Sequence, residues 1–204
     1  LLARRGGEPG RPTDRGAPGG LGVAGRGLGT PILQNVEFKA ELRDPQVAKA
    51  ICKSLRATWI ANVEQVDTYY RVPTGRLKKR EQTGEPTEII FYDRPNRSRP
   101  KLSKFEIYSE EQARARFGNQ PLPVWLIVRK KREIWVLGQV RIHLDQVEGL
   151  GSFVEFEAIV SPHNNVARCH EEVTQLRKTF GPVLGEPLDC SYSDLLARED
   201  KASA

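Results

Sequence analysis

Charged and apolar side chains alternate along seven segments of this chain, and each segment reads as a strand. The first is Asn35-Val36-Glu37-Phe38-Lys39-Ala40-Glu41-Leu42. Two later ones, Arg141-Ile142-His143-Leu144-Asp145 and Phe153-Val154-Glu155-Phe156-Glu157-Ala158, alternate as regularly. Successive side chains on a strand point to opposite faces, so Glu37, Lys39 and Glu41 share one face, as do Glu155 and Glu157. Further strands are expected at about 65–72, 75–82, 87–94 and 100–108, with a long strand or hairpin from Val124 to Gln139. Their polar sets read Gln65/Asp67/Tyr69/Arg71, Arg76/Lys78/Arg80/Gln82, Glu88/Tyr92/Arg94 and Lys130/Arg132. The run Arg129-Lys130-Lys131-Arg132 charges both faces, and so does Lys78-Lys79-Arg80-Glu81.

Helical spacing appears between the strands. Asp44 is an expected N-cap with Pro45 at the first helical position, and Val47, Ile51 and Leu55 recur every four residues. A short helix is expected near 109–117. A longer one, about 165–180, carries Val166, Cys169, Val173, Leu176 and Phe180 at helical spacing, and one short helix is expected within 191–196. Short connections favour antiparallel pairing. The fold class is therefore α+β, a sandwich or barrel partly covered by helices.

Two arrangements satisfy this pattern. A half-buried antiparallel sheet keeps its polar face in water. Turned inward, the same faces would line a cavity holding cations and carboxylates together, a lining suited to a polyanion carrying a divalent metal. Opposite signs segregate by strand, with Glu37, Glu155 and Glu157 apart from Lys78/Arg80 and Lys130/Arg132, and amphipathic helices are available to cover apolar outer faces.

Composition narrows the classes. At 204 residues the chain has room for one sizeable domain. Residues 1–31 hold ten Gly, four Pro and five Arg, and read as a disordered tail with a net charge of +3. The domain is expected over 32–198, with a C-terminal tail at 199–204. The net charge of the whole chain is +6, so the remainder carries +3, too little to argue for nucleic-acid binding. No apolar run is long enough for a membrane span. Cys52, Cys169 and Cys190 are widely spaced with no metal-binding pattern, which suggests a reduced, cytoplasmic setting, Cys52 and Cys169 being core residues. The chain contains no Met, which suggests a processed end, a fragment or an upstream reading frame. Trp59, Trp125 and Trp135 have apolar neighbours and read as packing residues.

From about 35 to 196 the residues resemble the CYTH domain, the group containing class IV adenylyl cyclases and thiamine triphosphatases. The family's Glu-x-Glu-x-Lys opening is similar to Asn35-Val36-Glu37-Phe38-Lys39. Its next blocks resemble Gln65-Val66-Asp67-Thr68-Tyr69-Tyr70 and Arg76-Leu77-Lys78-Lys79-Arg80, then Tyr92-Asp93-Arg94, Ser103-Lys104 and Val128 to Arg132. The last of these selects Lys130 and Arg132 over Arg129 and Lys131. Arg141 to Asp145, Gly149 to Glu157 and the closing Ser191-Tyr192-Ser193-Asp194-Leu195-Leu196 are most like the cyclase branch.

The resemblance implies a closed antiparallel eight-stranded barrel whose bore holds a triphosphate: ATP, tripolyphosphate or thiamine triphosphate. Lys39, Lys78, Arg80, Arg94, Lys130, Arg132 and Arg141 would bind the phosphates, with Lys104 and Tyr92 as additional contacts. Glu37, Glu155 and Glu157 would hold Mg2+ or Mn2+, with Asp145 a further candidate. Asn35 stands where the family has a first Glu, which weakens a second metal site. His143 lies on the polar face between Arg141 and Asp145 and is a candidate for proton transfer. Two reactions fit: cyclisation of ATP to cyclic AMP and pyrophosphate, and hydrolysis of a triphosphate. A non-catalytic nucleotide or polyphosphate module and a basic nucleic-acid binder are the rivals, and the resemblance leaves room for a homodimer.

Overall fold

The computed structural model describes residues 30–202. The expected N-terminal tail lies almost wholly outside the described residues. The strands are β1 (Leu33–Leu42), β2 (Thr58–Tyr70), β3 (Arg76–Gln82), β4 (Glu88–Asp93), β5 (Lys101–Tyr108), β6 (Val124–Leu137), β7 (Val140–Val147), β8 (Gly151–Ile159) and β9 (Leu184–Pro187). The helices are α1 (Pro45–Ser54), α2 (Glu110–Phe117), α3 (Val166–Thr179) and α4 (Tyr192–Ala202).

Antiparallel pairing runs β5-β4-β3-β2-β6-β7-β8-β1, and β1 pairs again with β5, which closes an eight-stranded barrel. Closure depends on β1 using both edges. Asn35 stands opposite Ile159 of β8 on one side and Ser103 of β5 on the other. Strand β9 is an addition, pairing with the far end of β1 at Ala40 and Leu42. The turns use glycine where the backbone demands it: Gly138 (φ 59°) between β6 and β7, and Gly149 (φ 77°) between β7 and β8.

The barrel inverts the usual half-buried sheet. Val36, Phe38 and Ala40 of β1, Ile142 of β7, and Val154 and Phe156 of β8 face outward and are covered by Cys169, Val173, Leu176 and Phe180 at α3. Phe156 stacks against Phe38 at 6.0 Å and meets Phe180 edge-on at 5.0 Å. Helix α3 starts where Asn165 accepts from the Arg168 amide, and its last turn carries Arg177 and Lys178, in accord with the helix dipole. With the apolar face spent on the helix, the charged face of these strands turns inward.

A second apolar cluster fills one end of the barrel: Tyr69, Tyr92, Val128, Val147, Phe153, Leu188 and Tyr192, with Trp125, Leu195 and Leu196 packed on it. Helix α4 carries the last part of this floor. Ser191 caps it: the Asp194 amide donates to Ser191 Oγ, and the Ser191 amide and hydroxyl donate to Asp194 Oδ2.

Several expectations need correction. Strand β2 begins at Thr58, and a bulge between Trp59 and Ala61 shifts its register, leaving Trp59 51% exposed rather than packed. Of the two readings of Val124–Gln139, the long strand is the one found, β6, ending at Leu137. Helix α1 begins as expected at the Asp44 cap, but it buries Ala48 and Cys52 and leaves Val47 exposed, because small side chains admit the closest approach. Helix α4 runs from Tyr192 to Ala202, longer than the short helix expected within 191–196. Among the described residues, no helix is long and apolar enough to cross a membrane.

Candidate functional site

The inward faces enclose a chamber of about 640 Å³. Strand by strand it is lined by Asn35, Glu37 and Lys39 of β1, Gln65 and Tyr69 of β2, Lys78 and Arg80 of β3, Tyr92 of β4 with Arg94 just beyond it, Lys130 and Arg132 of β6, Arg141 and His143 of β7, and Glu155 and Glu157 of β8. Register explains the convergence. Glu37 stands opposite Glu157, Lys39 opposite Glu155, Arg141 opposite Glu157 and His143 opposite Glu155. Arg129 and Lys131 face solvent while Lys130 and Arg132 are buried, so the ambiguous run on β6 resolves in favour of the latter pair. Ile60, Glu85 and Arg141 are exposed and mark where the chamber meets solvent, at the end opposite the α4 floor.

Buried charges need partners, and the chamber arranges them as cations held by carboxylates. Asp67 accepts from Lys78 Nζ at 3.0 Å, Arg80 Nε at 2.8 Å, Arg80 Nη2 at 3.0 Å and Lys130 Nζ at 2.7 Å. Asp145 accepts from Arg132 through two bonds of 2.7 Å and from the Tyr192 hydroxyl at 2.8 Å. Neither Asp67 nor Asp145 lines the chamber; each stands behind the cations it holds. Glu155 takes Arg132 at 2.7 Å and Lys39 at 3.4 Å, and Glu37 pairs with Arg94. Asn35 donates to Glu157, whose other neighbour is Arg141 at 3.7 Å.

Even so, the chamber is incompletely satisfied. Asn35 Oδ1, Gln65 Oε1 and Arg94 Nε are buried without a hydrogen-bond partner, a state normally relieved by a ligand or water. Titration points the same way. Burial brings Lys130 down to about 7 against the pull of Asp67, and burial together with Arg80 brings Lys78 down to about 8. Burial would raise the Asp67 carboxyl, but Arg80, Lys130 and Lys78 hold it well below the usual range. Burial, then Arg132, lowers His143, whose Nδ1 lies 3.5 Å from Glu155. Of the three unpaired atoms Arg94 Nε is the donor, and it shares the lining with the lowered lysines, so the chamber has donors to offer an anion.

Lys104 faces solvent and does not line the chamber; its neighbour Ser103 does. Asp145 holds Arg132 and Tyr192 from behind the chamber lining. The other three carboxylates bring oxygen donors of the hard type that Mg2+ and Mn2+ prefer. Each is engaged by a cation or amide, and among the described residues no three acidic, His or Cys side chains gather closely enough to hold a metal as they stand.

Three contributors carried no site role in the sequence reading. Tyr192 lies under Lys39, 4.0 Å from Nζ to the ring centroid. Lys101 is buried and donates to the Arg97 carbonyl at 2.9 Å. The third is Asp67. Alternation on β5 counted from Lys101 would have placed Lys101 and Ser103 inward and Lys104 outward.

Comparison with known proteins gives a consistent result. The CYTH domain profile matches residues 33–182. A Methanocaldococcus jannaschii protein provisionally named an adenylate cyclase is 26% identical over 176 residues, 78% of this chain and 97% of its own length. The solved PH1012 protein of Pyrococcus horikoshii superposes with a TM-score of 0.64 at 20% identity, covering 79% of this chain and 98% of its own. A Hippeastrum protein, provisionally an adenylyl cyclase and described as having a dominant triphosphatase activity, superposes with a TM-score of 0.55 at 12% identity, over 81% of this chain and 96% of its own.

Proposed function

The chain belongs to the CYTH domain family, and from that premise we propose that it is a metal-dependent enzyme acting on a triphosphate held in the barrel chamber. One observation carries this reading. Lys39, Lys78, Arg80, Arg94, Lys130 and Arg132 are brought from four parts of the barrel, β1, β3, the end of β4 and β6, onto one enclosed surface, where the unpartnered Arg94 Nε and the depressed lysines leave room for a polyanion. A triphosphate brings roughly four negative charges and acceptor oxygens that guanidinium forks bind in pairs. A nucleic-acid binder would need those cations on an exposed face, and here they are enclosed.

Arg80, Lys78 and Lys130 would bind phosphate oxygens on one wall, and Arg94 and Lys39 on the facing wall, restricting the chain to one path and excluding bulk water. Glu37, Glu155 and Glu157 would hold Mg2+ or Mn2+; when bound, the cation would neutralise phosphate charge and orient the phosphates. Asn35, neutral and tied to Glu157, favours a single cation. Arg132 and Arg141 would stabilise the charge that develops on the leaving phosphate. The site serves either cyclisation of ATP or hydrolysis of a triphosphate, since both need this clamp and differ in where the nucleophile stands. The names of the relatives, one cyclase and one with dominant triphosphatase activity, span the same two reactions. The unpaired thiols of Cys52, Cys169 and Cys190 suit a reducing, cytoplasmic compartment.

A screen of ATP, tripolyphosphate and thiamine triphosphate with Mg2+ or Mn2+, resolving cyclic AMP, pyrophosphate and orthophosphate, tests the reading. Turnover is expected to need the metal, and Glu157→Ala to lower it at least about tenfold, equivalent to about 1.4 kcal/mol. Undiminished turnover in that variant with the metal chelated would remove the metal role. Tight binding with no product would leave a binding module instead.

A further inference from the structure

Asp67 is the carboxylate with the most cationic partners in the barrel, and it does not face the chamber. It sits on β2, the strand between β3 and β6. Arg80 stands directly opposite on β3, Lys78 two residues along the same strand, and Lys130 reaches over from β6, where it is paired with Gln65. Three cations from two strands therefore converge on one side chain that is 1% exposed. Without that carboxylate nothing on β2 would draw Lys78 and Lys130 together, because the residues between them on the wall, Gln65 and Tyr69, carry no charge.

Resting on the triphosphate reading of the chamber, we propose that Asp67 is the positioning residue of its phosphate clamp, gathering Lys78, Arg80 and Lys130 onto one wall and keeping them charged for the incoming phosphates. Asp67 touches no substrate in this scheme; it acts through the three cations. The geometry requires a counter-charge, since the amines and guanidinium each stand within 3.0 Å of its oxygens and so lie close to one another. Every element packed against Lys130 bears on its charge state: Asp67 on β2, Lys78 and Arg80 on β3, Arg132 on its own strand, Asp145 on β7, and the Tyr192 ring of α4 at 5.8 Å. Lys78 faces Asp67 and Tyr69 on β2, Arg80 beside it, Arg132 on β6 and Tyr92 on β4. Of these groups only the two aspartates are anionic at neutral pH, and Asp145 is held by Arg132. Lysines already lowered to about 7 and about 8 with Asp67 in place would shed their protons at lower pH without it.

The test is calorimetric titration of tripolyphosphate, without added metal, into wild type, Asp67→Asn and Asp67→Glu. At about pH 5, well below the values of both lysines, Asp67→Asn is expected to match wild type within about threefold. At about pH 7 wild type keeps most of Lys78 and about half of Lys130 protonated. There Asp67→Asn is expected to bind at least about tenfold more weakly, because the lysines of the variant have lost their protons and no longer serve as cationic donors. Asp67→Glu keeps the charge and displaces it by one methylene, so a loss of at least about tenfold that is the same at both pH values is expected. An equal loss at both pH values for Asp67→Asn, the mark of a merely structural role, overturns the proposal. So does no loss at either. Wild-type affinity in Asp67→Glu overturns it even if the Asn variant does not fold. If wild type itself fails to bind tripolyphosphate, the triphosphate reading falls and this inference with it.

Discussion

Asp145 takes both forks of Arg132 and the hydroxyl of Tyr192 while fully removed from solvent. Burial alone would raise its pKa, but Arg132 brings it down to about 2. In the unfolded chain an aspartate titrates near 3.9, so between these values the unfolded state binds more protons than the folded one. The stabilisation is therefore complete above about pH 4 and is lost as pH falls toward 2, an effect on the order of 2–3 kcal/mol. Urea unfolding at about pH 5 and about pH 2.5 should show wild type losing more stability than Asp145→Asn over that interval. Equal losses would show that the Arg132 clasp does not depress the carboxyl. The same clasp keeps Asp145, readable on the polar face of its strand, behind the chamber lining.

Between elements, α3 decides which way the strands face. It buries Phe38 and Phe156 completely, and Phe180 closes over them. Phe156→Ala should cost about 3–5 kcal/mol in denaturant unfolding, because the ring leaves a cavity that stacked neighbours cannot fill. A loss below about 1 kcal/mol would mean that the helix is not anchored there. This packing also explains what could be read in advance. β1, β7 and β8 alternate cleanly because one face meets α3 and the other meets the ionic chamber, two chemically opposite environments. The first half of β2 was not legible, since its bulge breaks the period and its residues face solvent. Nor was β9: Leu-Gly-Glu-Pro is too short to show a period, and it forms by pairing with the end of β1. Whether polar faces turned in or out was undecidable from the pattern, because alternation is the same for a solvated sheet and a lined bore. The ring of pairings around β1 settles it. Asp67 was visible as a polar strand position, but its convergence with Lys78 and Lys130 depends on a neighbour from 63 residues away.

As a whole, the molecule is a closed barrel floored at one end by α4 and open at the other, with cations concentrated inside and only partly neutralised. Enclosure distinguishes it from a basic surface. Binding of a polyanion within such walls is screened less by salt than binding to exposed charge. It also couples to protons. Lys130, lowered by burial to about 7, becomes charged beside phosphate, so complex formation above about pH 7 should take up protons and weaken as pH rises further.

Titration of tripolyphosphate into the wild-type protein and Arg80→Ala near pH 8, in buffers of different ionisation enthalpy, addresses the central claim most directly. A saturable one-to-one complex with net proton uptake is expected, weakened at least about tenfold by Arg80→Ala. No saturable binding, or binding that Arg80→Ala leaves intact, would contradict the claim that the charged faces of these strands form a chamber for a triphosphate.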